Sequence, residues 1–417
     1  MSLLCRNLVR FGGVLSDRSR ASCFQPTSTF VLLLAVTLVC FFGAKPVLGA
    51  ERTITPQISL GSRYNDNIHF TATDKESDSY AVVSPAIQLR QRDERGDINI
   101  KGTIESFTYM ERSELDSVNS EMAFNGAYAL SPVFSANASG LYKIDYQSDR
   151  AITTSGLVST NSKREQNQGD LGLDWTLSEK TTMGTKVSLG KTVYEDPEYS
   201  DFTTQTYSLD LSSNLSKFVT EITGLLHLTR SRYDYDYSQS DYTTAALGFG
   251  KKLDEKYSLT AWAGPSLIET VYAFGPETEE WGTAAHCSLD GKFEKSTMNL
   301  SFTYDLQPDS FNSTSVKRMA LKGSYFKQVS SDLKLGIGAS YFRNEVTDQG
   351  FFSTNDTNED TFNISPRILY QITDDVGLNF YYNYSRIDEN DSAGSSRTQN
   401  SAFVQITWNH SFDKSNF

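Results

Sequence analysis

Residues that could carry out enzyme chemistry are few and scattered in this 417-residue chain. The four histidines, His69, His227, His286 and His410, lie far apart in the sequence. They lack the spacing of a metal site, and no Gly-x-Ser-x-Gly motif or cysteine pair suggests a nucleophile. The sequence therefore predicts no catalytic residues, no metal site and no cofactor.

One short run combines aromatic rings with carboxylates. Tyr233, Asp234, Tyr235, Asp236 and Tyr237 follow one another without interruption. Tyrosine rings can stack on sugar rings, and carboxylates accept hydrogen bonds from hydroxyl groups. We therefore treat the run as a candidate sugar-contacting loop. The alternative is an aromatic girdle at a membrane interface that continues into a loop.

Hydrophobicity alternates every second residue along the segments of this chain. From Phe134 to Tyr146 the even positions are mostly apolar or small, and the odd positions are mostly polar. The same alternation recurs after residue 51 in segments of about ten to fifteen residues, with aromatic residues near their ends. Such segments are typical of transmembrane β-strands that face lipid on one side and a polar lumen on the other.

The connections between these segments alternate between short and long. Eighteen candidate strands can be placed between residues 52 and 412. Ser131–Pro132 and Glu294–Lys295 are short connections, whereas Asp149–Ser162 and Thr347–Glu359 are long ones. Short periplasmic turns and long extracellular loops are typical of outer-membrane barrels. The prediction is an all-β fold: one antiparallel transmembrane β-barrel of about 18 strands, with 16–20 compatible, and both termini on the periplasmic side.

Two prolines interrupt the alternating segments. Pro85 and Pro366 each follow a serine, in similar local sequences. Proline has no amide hydrogen to donate to a strand ladder, so each proline predicts a strand end or a bulge.

The N-terminal fifty residues have a different character. Four arginines precede an apolar run, Phe30–Gly43, and the small residues Gly49 and Ala50 follow it. This order predicts a secretory signal peptide over residues 1–50, cleaved near Gly49 or Ala50, and a barrel domain over 51–417. The alternative is an N-terminal transmembrane anchor, which needs about 20 apolar residues.

Charge and hydropathy exclude several classes of protein. The chain has a net charge of −13; the first fifty residues contribute +4, so the remainder carries −17. This excess of acid argues against a nucleic-acid partner. Apart from that leader no stretch of about 18 residues is apolar, which excludes a helical membrane protein. Cys287 is the only cysteine after residue 50, so the barrel has no intrachain disulfide.

The polar face of the predicted strands supplies the candidate site. The candidate lumen-lining residues are Arg63, Lys101, Lys143, Asp145, Asp210, Glu221, Asp305, Lys322, Lys334 and Arg367. Bases and acids nearly balance, which predicts weak ion selectivity if the lumen conducts. About eighteen strands leave room for an aqueous channel. The mixed charges could instead pair across the lumen and restrict it.

The final predicted strand is aromatic and apolar. Val404, Ile406, Trp408 and Phe412 occupy alternating positions near the end of the chain. A final strand of this kind is typical of the signal that barrel-assembly machinery recognises, so that machinery and outer-membrane lipid are expected partners. The alternative is an ordinary edge strand.

The first predicted strand and loop resemble a known family. Tyr64–Ile68 reads Tyr-Asn-Asp-Asn-Ile, Asp74–Asp78 is acidic, and Val83–Pro85 opens the second strand. These motifs resemble the β-barrel porin-like family, type two, often associated with exopolysaccharide or exosortase (PEP-CTERM) systems of Gram-negative bacteria. Members more often have Asp where Asn65 stands. The resemblance implies an outer-membrane barrel that takes part in export of a surface polymer, and it supplies no catalytic residues.

Three functions are compatible with this sequence. The first is a porin or channel for polar solutes, or for export of a surface polysaccharide, in the outer membrane of a Gram-negative bacterium. The second is a closed structural or adhesive barrel at the surface. The third, an outer-membrane enzyme that modifies lipid, lacks support from the scattered histidines. We therefore expect a transport protein and not an enzyme.

Overall fold

A computed structural model describes residues 51–146, 163–197, 199–216, 221–309, 314–346, 358–389 and 395–413. The predicted signal peptide, the predicted loop 149–162 and residues 347–357 of the predicted loop 347–359 lie outside these ranges. Among the described residues no helix has the length and apolar character needed to cross a membrane.

Long antiparallel strands account for most of the described chain, because the two-residue period continues for 13 to 16 residues at a time. The strands are β1 (Glu51–Asn65), β2 (Asp78–Arg92), β3 (Gly96–Tyr109), β4 (Ser117–Ser131), β5 (Phe134–Tyr146), β6 (Lys163–Ser178), β7 (Thr181–Tyr194), β8 (Phe202–Asn214), β9 (Ile222–Tyr235), β10 (Ser238–Lys252), β11 (Tyr257–Tyr272), β12 (Thr278–Lys292), β13 (Ser296–Asp309), β14 (Thr314–Gln328), β15 (Leu333–Val346), β16 (Glu359–Gln371), β17 (Val376–Glu389), β18 (Ser396–Asn409) and the short β19 (Phe412–Asp413). A 3₁₀ turn, Ser113–Leu115, lies between β3 and β4.

The sheet closes on itself. Each long strand pairs with the next in the sequence, and β1 pairs with both β2 and β18. At the closing seam Leu60 is the register partner of Ile406, and Arg63 is the partner of Phe403. Closure leaves no free sheet edge, whose backbone N–H and C=O groups would find no hydrogen-bond partners in lipid. The predicted antiparallel barrel of about 18 strands is therefore confirmed.

The two faces of the wall have the predicted chemistry. Apolar side chains such as Ile337, Ile406 and Leu300 are about 43–44% exposed and point outward. Serines on the opposite face, including Ser59 and Ser385, are almost fully buried in the lumen wall. Alternation therefore places apolar surface toward lipid and polar groups inside.

The connections differ between the two ends of the barrel, as expected. Residues 93–95, 179–180 and 293–295 form tight turns at the end where β1 begins and β18 finishes. At the opposite end, the connections include the longer loops 66–77 and 195–201. By the usual topology of such barrels the tight turns are periplasmic. The connection between β9 and β10, residues 236–237, is an exception because it is a tight turn at the loop end.

The two prolines interrupt pairing without ending their strands. In β2 the ladder to β3 skips Ser84 and Pro85, while Pro85 stays opposite Ile58 of β1. In β16 the ladder to β17 likewise skips Ser365 and Pro366. The missing amide hydrogen explains both gaps. The predicted irregularity is confirmed, but neither proline marks a strand end.

The end of the chain differs from the prediction of one strand that reaches Phe412. β18 finishes at Asn409, and Phe412 belongs to β19, where it pairs with Ile54 of β1. The break lies opposite Pro56, which has no amide hydrogen, so the β1–β18 ladder ends at Gln57 and Asn409. Trp408 and Phe412 therefore lie in separate strands.

The seam between β12 and β13 is paired over only part of its length. The ladder ends at Ala285 and Tyr304, although β12 begins at Thr278 and β13 continues to Asp309. Beyond Tyr304, β13 remains paired with β14 up to Asp309. The ends of β13 and β14 thus form a hairpin that has separated from β12.

This β13–β14 hairpin folds into the lumen. Leu306 lies on the same face of β13 as Leu300, which points outward. Nevertheless Leu306 packs against Tyr242, Ile268 and Ala284 on the inner face of β10–β12. Lys317 of β14 makes an ion pair with Glu280 of β12. Both contacts require the outer face of the hairpin to cover the inner wall, so the hairpin narrows the lumen at the loop end.

The first loop is held against the closing seam. Asn67 is fully buried, and its Nδ2 donates to the backbone carbonyls of Thr71 (2.8 Å) and Thr398 (2.9 Å). Phe70 of the same loop packs against Ile387 of β17. The Tyr64–Ile68 motif therefore has a structural role, because its buried amide ties the loop 66–77 to β18.

Candidate functional site

A cavity of about 620 Å³ lies inside the barrel. Its wall comes from β1–β5 on one side and β14–β18 on the other, so it is part of the lumen and not of the outer surface. The charged side chains that line it are Arg63, Lys322, Arg367 and Glu105. We call this space the lumen cavity. Three cations and one carboxylate give its wall a positive balance.

Strand register aligns cationic and aromatic side chains across six strands of this wall. The successive cross-strand partners are Arg367, Tyr381, Phe403, Arg63, Tyr80 and Tyr109. All six line the lumen cavity. Directly opposed residues on neighbouring strands are in side-chain contact range. We call these six residues the cation–aromatic row.

Arg63 lies between two rings of the row. Its Cζ atom is 6.0 Å from the ring centroid of Tyr80 and 5.8 Å from that of Tyr381. Its Nη1 donates a hydrogen bond to the hydroxyl of Tyr80 at 3.0 Å. Stacking and the hydrogen bond fix the position of the guanidinium. Tyr80 is buried, whereas Arg63 and Tyr381 are half-buried and reachable from the lumen.

The other predicted cations lie on the inner faces of their strands. Lys322 has its Nζ 5.0 Å from the ring centroid of Phe342, and Lys334 stands 5.0 Å from that of Phe326. Arg367 and Lys101 are exposed. In the part of the chain that the structure describes, Arg367, Lys101 and Lys334 have no carboxylate partner. These cations keep their charge available to a solute.

Three of the predicted acids are paired with nearby bases. Asp145 is fully buried and bonded to Lys143 and to Arg164, with a distance of 3.0 Å between Arg164 Nε and Asp145 Oδ1. Asp210 contacts the ring of His227, its register partner on β9. Asp305 is within 3.5 Å of Arg318. Asp145 and Asp305 therefore lie beside lysine or arginine side chains, whereas Asp210 lies beside an imidazole, and none of the three lines the lumen cavity.

Glu221 departs from its predicted place in a strand. It lies in the turn before β9 with a φ of 58°, and it is exposed. The sequence 219–233 alternates without a break, but β9 begins only at Ile222. A left-handed residue cannot continue the extended backbone, so Glu221 does not line the lumen wall.

The tyrosine–aspartate run is not a loop. Tyr233, Asp234 and Tyr235 belong to β9, and only Asp236 and Tyr237 lie in the turn that follows. Tyr233 and Tyr235 are 9% and 8% exposed, because the strand alternates and both rings point into the packed wall. The predicted sugar-contacting surface is therefore divided between two faces of the sheet.

The aromatic members of the row were missed by sequence reasoning. Tyr80, Tyr109, Tyr381 and Phe403 resemble girdle aromatics in the sequence, where aromatic residues suggest the lipid interface. Alternation within each strand could place these aromatic residues on the same face as Arg63 and Arg367. Their grouping into one row can be recognised only when the register between the strands is known. That register depends on partners up to several hundred residues apart in sequence.

The histidines form no metal site among the described residues. The rings of His227 and His286 lie on either side of Trp262, with centroid distances of 4.9 and 5.7 Å. His410 contacts Asp375 at 3.0 Å near the chain end. Their contacts fit packing and hydrogen-bonding roles in the wall.

The closed wall, the apolar outer face and the polar lumen define a transmembrane β-barrel of the outer-membrane type. A family model described as Putative beta-barrel porin 2 matches residues 51–210. The model of the Porin subfamily matches residues 133–412, about two thirds of the chain. The chain belongs to the Porin subfamily. The match to Putative beta-barrel porin 2, which covers the first loop, confirms the resemblance seen there. This family and this fold place the protein in the outer membrane of a Gram-negative bacterium. Members of the family are channels.

Several solved barrels are similar in structure at low sequence identity. OccK2 (OpdF) of Pseudomonas aeruginosa is 10% identical, with a TM-score of 0.47 and coverage of 88% of this chain and 99% of that one. OpdK of the same organism, solved with vanillate, is 9% identical, with a TM-score of 0.47 and coverages of 86% and 99%. OccAB3 of Acinetobacter baumannii is 9% identical, with a TM-score of 0.44 and coverages of 88% and 100%. No curated protein sequence matches the chain.

Proposed function

We propose that this porin is a passive channel for small polar solutes and that it prefers anions. The observation that carries the proposal is the positive balance of the lumen cavity, with Arg63, Lys322 and Arg367 against Glu105. Low-dielectric walls focus the field of lining charges, whereas charges more than about 8–10 Å away across water are screened. The lumen charge therefore outweighs the net −17 of the barrel domain.

This proposal replaces the expectation of weak selectivity. That expectation rested on a balance of inward acids and bases. Asp145 and Asp305 have an arginine partner, Asp210 contacts His227, and Glu221 lies outside the wall. None of these four carboxylates lines the lumen cavity, so they do not change the balance of three cations and one carboxylate in its wall.

Reversal potentials in a planar bilayer under a salt gradient test the proposal. The wild type is expected to be anion-selective, and Lys322→Glu with Lys334→Glu should shift the reversal potential toward cations. Glu179→Lys, in a periplasmic turn outside the lumen, is the control and should change it little. Cation selectivity in the wild type would contradict the proposal, and an inserted barrel without conductance would favour the closed structural or adhesive barrel.

Export of a surface polysaccharide is a second candidate, favoured by the cation–aromatic row. Aromatic faces inside a channel suit the faces of sugar rings. The link to exopolysaccharide or exosortase systems rests on the resemblance of the first loop. Deleting the gene and measuring cell-bound polysaccharide tests this role, and an unchanged polymer would leave the solute channel alone.

The route to the membrane is also part of the proposal. We propose that a signal peptide is cleaved near Gly49 or Ala50, since β1 begins at Glu51. N-terminal sequencing of the protein from outer membranes tests the site. We further propose that barrel-assembly machinery recognises Val404, Ile406 and Trp408, which are 41–46% exposed on the outward face of β18. Cross-linking from this face during assembly tests that contact.

A lipid-modifying enzyme is the third alternative. The histidines it would need are engaged with Trp262, Asp210, Asp375 and Thr303. Incubating the refolded barrel with outer-membrane lipid and analysing the products tests this reading. We expect no product.

A further inference from the structure

We propose that the cation–aromatic row is a binding site for sugar acids, that is, hydroxylated rings that carry a carboxylate. This inference rests on the proposed function, because the site lies on the inferred path of solutes through the channel. It names the class of ligand and predicts that the flux of such ligands saturates with concentration.

The carboxylate would be recognised by two guanidinium groups. Arg367 is the direct cross-strand partner of Tyr381, and the Cζ atom of Arg63 is 5.8 Å from the centroid of the same ring. Guanidinium groups bind carboxylates through paired, charge-assisted hydrogen bonds. Arg367 is exposed and has no carboxylate partner in the described chain, so its donors can turn to a ligand.

The ring would be recognised by Tyr381. Its side chain is half-buried, and Phe403 packs against it with a centroid distance of 4.9 Å. A half-buried aromatic ring close to two guanidinium groups suits a ring-shaped ligand that carries a carboxylate. This geometry favours a ring-shaped carboxylate over a linear one.

Amide side chains around the row favour a hydroxylated ring. Asn363, Asn379, Asn383 and Gln405 line the same cavity. Amide groups both donate hydrogen bonds to hydroxyl groups and accept them, so this lining suits a hydroxylated ligand. The cavity volume of about 620 Å³ is within the range of small-molecule sites.

Calorimetry on the refolded barrel in lipid nanodiscs tests the site with three probes. Galacturonate should bind, and galactose, which lacks only the carboxylate, should bind at least tenfold more weakly. Benzoate, a ring carboxylate without hydroxyls, should also bind at least tenfold more weakly. Equal affinity for galactose would overturn the role of the cations, and tighter binding of benzoate would overturn the preference for hydroxylated rings.

Matched variants locate the site. Arg367→Gln and Tyr381→Leu should each weaken galacturonate binding at least tenfold. Lys101→Gln removes another exposed lumen cation outside the row and should stay within about twofold of the wild type. An equal loss in Arg367→Gln and Lys101→Gln would mean that general lumen charge, and not this row, binds the ligand. Circular dichroism confirms that each variant is folded.

Binding and conductance separate this inference from the proposed channel. Galacturonate binding in a barrel that does not conduct would overturn the channel and keep the site. Anion-selective conductance without galacturonate binding would keep the channel and overturn the site.

Discussion

Side chains three residues apart on β15 face opposite environments. Ile337 points to lipid and is 43% exposed, whereas Ser340 lines the lumen cavity. A lipid-facing Arg near the bilayer midplane costs about 2–4 kcal/mol, because its charge leaves water. Ile337→Arg should therefore lower the yield of folded barrel in vesicles, measured by gel mobility. Ser340→Arg is the matched control and should fold normally; equal yields would mean that the faces are wrongly assigned.

Asp145 lies at the centre of a buried charge cluster. It is fully buried between Lys143 and Arg164. Removing one partner of a buried ion pair leaves uncompensated charge and costs about 3–5 kcal/mol. Asp145→Asn should lower the free energy of unfolding in urea by that order.

The exposed pair of Arg90 and Asp97 provides the control for this change. Its side chains are 47% and 37% exposed. Solvent screens such pairs, so Asp97→Asn should lower the free energy of unfolding far less than Asp145→Asn does. An Asp97→Asn effect as large as that of Asp145→Asn would show that burial does not govern the energetics of the lumen.

At the scale of strands, the local alternation of apolar and polar residues was sufficient to predict most of the fold. The alternation and the turn residues predicted a strand at 77–91, and the structure has β2 at Asp78–Arg92. Departures occur where the deciding information is not local. Glu221 leaves its strand through a left-handed backbone, and β18 ends where Pro56 of a distant strand offers no donor. Neither fact is visible in the alternation of the segment concerned.

The candidate site was predictable only in part, for the same reason. Arg63, Lys322 and Arg367 follow from parity within each strand. Their grouping with Tyr381 follows from the register of β16, β17, β18 and β1, which closure of the barrel sets. The closure of the barrel cannot be predicted from the sequence of any single strand.

The β13–β14 hairpin offers a test of how the lumen is narrowed. Lys317 and Glu280 hold the hairpin against the inner wall. Glu280→Lys places two positive charges together, so the hairpin should leave the wall and single-channel conductance should rise. Adding Lys317→Glu restores an opposite pair and should return conductance toward the wild-type value. Unchanged conductance in both variants would show that the hairpin does not restrict the path.

At the scale of the whole barrel, the two ends differ in connection length, and this difference sets the orientation. Glu114 lies in the loop between β3 and β4, and its side chain is 63% exposed. Glu179 lies in the tight turn between β6 and β7 and is also exposed. Long loops are extracellular and tight turns periplasmic in barrels of this type. The two positions should therefore lie on opposite sides of the membrane.

Cysteine labelling of intact cells tests this orientation. In a Cys287→Ser background, Glu114→Cys should react with a membrane-impermeant maleimide on whole cells. Glu179→Cys should react only after the outer membrane is permeabilised, because an even number of long strands returns the chain to the side from which it started. The native Cys287 faces outward on β12 between Ala285 and Leu289, so the unsubstituted barrel should label weakly in both conditions. Strong labelling of Glu179→Cys on intact cells, with Glu114→Cys protected, would invert the barrel and place the β13–β14 hairpin and the first loop on the periplasmic side.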